Sequence, residues 1–201
     1  MIRNRVLPSL IFVLHATCST SQVVDTNVEI SAPIDCVWET VTDLGNWSSW
    51  NDVFDITLNG HPQIGTQITI KALWSLGPPS FTRERISRIE NSTLSETSDT
   101  TGITNITFLR ICWDHEELGV PNLSGDSVFL WIPVPLYSVS TDRCIELREN
   151  NTDNSTFVRN YIKFESFFGA FVWLLYGFLT RQGFENFNEA LSVEVGRTGC
   201  S

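Results

Sequence analysis

The chain has 201 residues with 23 acidic and 13 basic side chains, a formal net charge of −10. That length suits one domain with a substantial core. The few, scattered Lys and Arg argue against a nucleic-acid partner and against adhesion to anionic lipid by charge alone.

At the N-terminus, Arg3 and Arg5 precede an apolar run from Val6 to Leu14, and Ala16-Thr17-Cys18 supplies a small-residue cleavage pattern. Together these read as a secretory signal peptide over residues 1–18. The run is too short to span a bilayer; a signal anchor is the competing reading, and a lipoprotein signal is disfavoured by His15. The mature chain is therefore expected outside the cell or in the secretory lumen. Cleavage after Cys18 leaves Cys36, Cys112, Cys144 and Cys200, an even number without C-x-x-C spacing, which favours disulfides over metal ligation. Six N-glycosylation sequons, opening at Asn46, Asn91, Asn105, Asn122, Asn150 and Asn154, fit the same compartment.

Val28 to Ser31 alternates as a half-buried strand does, and a helix is expected from about Pro33, whose fixed φ suits a first turn. Ile34, Val37, Trp38 and Val41 make one apolar stripe on it, and Asp35 complements its dipole. Asp43-Leu44-Gly45-Asn46 ends the helix. Trp47 and Trp50 follow in a loop, either packed as core beneath a turn or lining a cavity mouth. From Phe54 the period changes to two: strands are expected at 54–58, 66–74, 81–89, 94–97 and 103–113, an irregular excursion at 114–135, and strands at 137–147 and 157–167. From Gly169 to Val195 there is no proline, and Trp173, Tyr176, Thr180, Phe184, Phe187 and Leu191 recur every three or four residues, the pattern of one long helix. Its first half is apolar on every side, as in a helix buried on most faces; a lid that transiently touches lipid or another hydrophobic surface is the alternative.

Strand, short helical pair, meander and long C-terminal helix, with Gly60 and Gly65-Thr66 between the second and third strands, Arg110-Ile-Cys-Trp113, and Phe168-Gly169 at the helix entry, resembles the START-like (SRPBCC, polyketide cyclase/dehydrase) superfamily. The resemblance covers most of residues 23–196, with 197–201 as a tail. It implies an α+β helix-grip fold, in which a curved antiparallel sheet with two short N-terminal helices wraps the last helix around a cavity. The excursion, the cysteines and the secretion signal depart from the cytosolic members.

Within such a cavity the period-two faces assign Ile68, Ile70, Trp74, Trp113, Ile162 and Phe164, opposite Phe168 and Trp173 and with Trp50 at the mouth, as ligand-binding residues. Arg83 and Arg85 fall on one face of their strand and Arg88 on the other. Together with Arg110, these arginines either orient a ligand carboxylate or form an exposed face paired with Glu84 and Glu90. No catalytic residue is assigned: His61 lies in a turn, and Asp114-His115-Glu116-Glu117 reads as a solvated acidic turn. No phosphate loop, dinucleotide fingerprint or nucleophile elbow calls for a cofactor, and no metal is expected. The expected function is a secreted, monomeric protein holding a lipid, sterol, isoprenoid or polyketide. The alternatives are a polyketide cyclase or dehydratase using the same cavity, and a surface interaction protein whose cavity is filled by side chains. Cys112 and Cys144 lie in successive meander strands, and Cys36 points away from its helix's apolar stripe, so the expected disulfides are Cys112–Cys144 and Cys36–Cys200.

Overall fold

A computed structural model describes residues 20–73, 79–98, 102–115, 140–150, 153–166 and 169–199. Its elements run β1 (Thr20–Ile30), α1 (Ile34–Thr42), a 3-10 helix (Leu44–Ser49), β2 (Phe54–Leu58), β3 (Gln67–Ala72), β4 (Ser80–Ser98), β5 (Gly102–His115), β6 (Ser140–Asn150), β7 (Ser155–Ser166) and α2 (Gly169–Arg197). All seven strands form one antiparallel sheet in the order β1-β7-β6-β5-β4-β3-β2. Consecutive strands from β2 to β7 are neighbours, and β1 closes onto β7 with an eleven-residue register from Thr20↔Ser166 to Ile30↔Thr156.

Several elements are longer than the alternation suggested. β1 begins at Thr20 rather than Val28, and the expected separate strands at 81–89 and 94–97 are one 19-residue strand. The break expected at 90–93 is absent, Glu90 to Thr93 pairing continuously with β5, and the strand's one irregularity is a register shift between Ile86 and Arg88, inside the first expected strand. A bulge adds one residue to a strand and resets its alternation without ending it. The excursion expected at 114–135 lies almost wholly outside the described residues.

α2 explains why the chain grips. Phe184, Phe187, Leu191 and Val195 are all at most 1% exposed, with Thr180 and Asn188 beside them, so one stripe of the helix is sealed against the sheet. Arg181, Glu185, Glu189 and Val193 occupy the solvent side. α1 presents Ile34, Val37 and Val41 to the same core, while Trp38 and Cys36 are half-buried at its margin. Cys36, expected to face outward, therefore packs against the core.

Two turns fix how the pieces meet. The Gly60 to Thr66 segment uses positive φ at Gly60 (114°) and Gly65 (91°), conformations that a side chain at these positions would strain. The Thr66 hydroxyl donates to the His61 carbonyl (2.8 Å), and the Gly65 amide donates to the Ile86 carbonyl (2.7 Å), tying the β2–β3 turn to β4. Before β2, buried Asn51 donates through Nδ2 to the Trp47 carbonyl (2.6 Å) and accepts the Val53 and Phe54 amides at Oδ1 (3.1 and 2.7 Å). That knot holds the 3-10 helix under the sheet.

Candidate functional site at the inner face of the sheet

The strand register decides which side chains face α2. The inward row includes Val24, Thr26 and Ile30 on β1, Val158, Asn160 and Ile162 on β7, Arg143, Ile145 and Leu147 on β6, and Leu109, Ile111 and Trp113 on β5. Glu84 and Ile86 continue it on β4, Ile68 and Ile70 on β3, and Phe54 and Ile56 on β2. All of these are buried.

Aromatic rings occupy the centre. The Trp47 ring lies 4.6 Å from Phe187, 6.0 Å from Trp113 and 6.1 Å from Trp50, and Phe54 meets Phe184 and Phe187 at 6.2 and 5.9 Å. These separations are those of favourable tilted aromatic pairs. Trp47 Nε1 donates to the Val41 carbonyl at 3.1 Å, so this tryptophan is core beneath its turn. Neighbouring Asn46 is exposed, and the two residues point apart. Trp50 is half-buried against Trp47 and Phe187.

Polar groups interrupt this apolar surface, and they are informative because burial of an unpaired donor or acceptor is costly. Arg143, 8% exposed, lies over the rings of Phe54 (4.9 Å) and Phe184 (5.2 Å). Burial pushes its guanidinium down from its ordinary value, and the Glu84 carboxylate pulls it partly back. Glu84 is itself only 6% exposed and accepts the Thr82 hydroxyl at 2.7 Å. Asn188 Nδ2 donates to the Thr26 hydroxyl at 3.0 Å, joining α2 to β1. Four inward atoms, Trp113 Nε1, Arg143 Nε, Asn160 Oδ1 and Asn188 Oδ1, are buried without hydrogen-bond partners.

The arginines expected to compete for this face are elsewhere. Arg83 and Arg85 are exposed, and the bulge after Ile86 puts Arg88 outward as well, opposite Cys112, instead of on the other face from Arg85. Arg110 is also outward. It bridges Glu146 (2.7 Å) and Glu90 (3.1 Å), and Glu146 further accepts the Tyr161 hydroxyl at 3.1 Å and faces Arg159 at 3.7 Å. Glu90, Arg110, Glu146 and Arg159 form a row of alternating charge across β4, β5, β6 and β7. Glu84, read from sequence as a partner in an exposed face, is inside. The exposed-face reading therefore holds for Arg88 and Arg110 and fails for Glu84, while Arg143 is a site residue that the sequence reading missed.

Ile68, Ile70, Trp113 and Ile162 stand on the inward face together. Phe164 and Trp173 belong to β7 and α2, but their side chains, like all of Trp74 and Phe168, lie outside the described residues. At the exposed end of the apolar half of α2, Phe178 is 70% exposed. No described helix is long and apolar enough to cross a membrane.

Cys112 and Cys144 are directly opposite in β5 and β6 and form a disulfide on the outward face. They and Asp142 are the one described cluster whose ligand atoms converge, and with both sulfurs bonded to each other it is no metal centre. Cys36 is also disulfide-bonded, with its partner outside the described residues, where Cys200 also lies. Among the sequons, Asn46, Asn91 and Asn154 are exposed, and Asn150 is half-buried with Nδ2 on Glu29 (3.1 Å). Asn122 and the Asn105 side chain are outside the described residues.

Solved structures share this arrangement. The aromatase/cyclase Zhui from Streptomyces sp. R1128 superposes with a TM-score of 0.57 at 11% identity, covering 89% of this chain and 95% of its own. Norcoclaurine synthase from Thalictrum flavum gives 0.56 at 13%, covering 90% and 98%. TTHA0849 from Thermus thermophilus gives 0.56 at 14%, covering 88% and 99%. The fold is the helix grip. No protein-family model and no curated protein sequence matches the chain, so the likeness lies in architecture, with a seven-stranded sheet around the C-terminal helix. The helix-grip neighbours include enzymes, and identities this low carry none of their active sites onto these residues.

Proposed function

We propose that this chain is a secreted protein that binds a small hydrophobic or amphipathic molecule, a lipid, sterol, isoprenoid or polyketide, between the inner face of its sheet and α2. The observation that carries this reading is the set of buried, unpartnered polar atoms among aromatic rings on that face. A core built only for stability leaves such atoms paired; a ligand site needs a few of them to orient what it holds. Burial of the apolar part of the ligand supplies affinity, at roughly 25 cal/mol per Å² removed from water before ordering costs. Secretion is supported by the leader, the disulfides and the exposed sequons. A cyclase-type enzyme is the second reading, favoured by the interior Glu84 and Arg143, although no described base is aligned with a nucleophile.

The test is native mass spectrometry of the protein secreted from a eukaryotic host, followed by organic extraction. A co-purifying small molecule that is lost on extraction, together with glycan mass at Asn46, Asn91 or Asn154, is expected. Protein that is retained in the cytosol, or that neither carries a small molecule nor takes up a neutral fluorescent lipid, overturns this reading.

A further inference from the structure

The inner face assigns the ligand a chemical class. Resting on the binding function just proposed, we infer that Arg143 and Trp113 form a two-donor anchor for a carboxylate, so the ligand is an apolar acid. The two residues are register partners on β5 and β6. Their neighbours Cys112 and Cys144 are the close pair, with Cα atoms 4.1 Å apart, so Trp113 and Arg143 occupy the adjacent, more widely spaced pair. Both side chains face α2, at 1% and 8% exposure, and each carries a buried N–H that meets no acceptor: indole Nε1 and guanidinium Nε.

Two donors from adjacent strands suit the two oxygens of one carboxylate, and a guanidinium edge matches that group in plane and in charge. The guanidinium carbon lies over the rings of Phe54 and Phe184, and Nε is the donor that neither these rings nor any protein acceptor engages. A buried cation also requires a counter-charge. Glu84 acts on Arg143 through space, but its Oε1 is engaged by Thr82, and Arg143 Nε stays unpaired. Asn160 sits one register row deeper on β7, opposite Ile145, and its unpartnered Oδ1 is available to a ligand hydroxyl further along the molecule.

The experiment uses the full secreted chain, stripped of lipid, and two matched probes, cis-parinaric acid and its methyl ester, which share a tail and differ in charge. The acid is expected to bind at least about tenfold tighter than the ester, as fits a charge-assisted pair. Arg143→Met should weaken the acid by about tenfold or more and leave the ester within about twofold. Trp113→Phe should weaken the acid by about fivefold, and Arg143→Lys should restore part of what Met loses. Equal affinity of acid and ester for the parent overturns the anchor while leaving hydrophobic binding intact, and this arm requires no variant to fold. Parallel losses for both probes in Arg143→Met also overturn it. Binding of neither probe to folded parent overturns the anchor, and the proposed function falls with it only where the secreted protein also carries no co-purifying small molecule.

Discussion

At the scale of single residues, the buried polar side chains divide into those fully partnered and those left open, and the two kinds respond differently to change. Asn51 is the clearest of the first kind, with three hydrogen bonds inside the protein. Asn51→Ala strands the Val53 and Phe54 amides and should lower unfolding free energy by about 2–3 kcal/mol, read as a shift in urea midpoint. Tyr161 shows the effect of charge. Desolvation first, then the Glu146 carboxylate that accepts its hydroxyl, raises its pKa from 10.0 to about 12. The unfolded chain releases that proton near its ordinary value while the folded chain keeps it, so this contribution to stability is complete below pH 10 and is lost as pH rises towards about 12. Absorbance titration should show one of the three tyrosines ionising late, and Tyr161→Phe should remove that step. An unchanged titration curve in the variant would assign the late step to another tyrosine.

Among the elements, the β5–β6 pair is the most constrained, because the Cys112–Cys144 bond adds a covalent tie to its hydrogen-bond ladder. Closing a segment of 32 residues restricts the unfolded chain, and replacing both cysteines by Ala should cost about 3 kcal/mol in denaturant unfolding, while far-ultraviolet circular dichroism stays unchanged. The same pair shows how much was readable from sequence. Period-two patterning gives each strand two faces, and α2's stripe of Phe184, Phe187 and Leu191 was visible at helical spacing. Arg143 was missed: with Cys112 facing Cys144 it must stand opposite Trp113, but alternation puts that pair on one face without saying which face is inward. The bulge after Ile86 was not legible, since an extra residue in a strand leaves the composition of Arg85-Ile-Ser-Arg88 unaltered and declares itself only through the partner strand's hydrogen bonds. Glu84 was misplaced because a lone carboxylate in an Arg-rich strand has a ready partner outside; the buried guanidinium that acts on it comes from β6, a distant part of the chain.

For the whole molecule, the two faces of one sheet have separate work. The inner face is aromatic with a few open polar atoms, and the outer face carries the charge row from Glu90 to Arg159. A change on the outside should therefore alter stability without altering ligand preference: Glu146→Gln, which removes one of the two carboxylates that Arg110 bridges and leaves Glu90, is expected to cost about 2 kcal/mol in thermal or urea unfolding with the acid-to-ester affinity ratio unmoved. A moved ratio would mean that the faces communicate through the strands. The disulfide's position has a further consequence for processing. Residues 116–139 fall between its two cysteines, so a protease cut anywhere in that interval yields two pieces that remain one covalent molecule. The first piece brings β1 to β5, the second β6, β7 and α2, and the second's β7 and β6 lie between β1 and β5 of the first. A nicked form should migrate intact until reductant is added, and even then the interleaved sheet opposes separation.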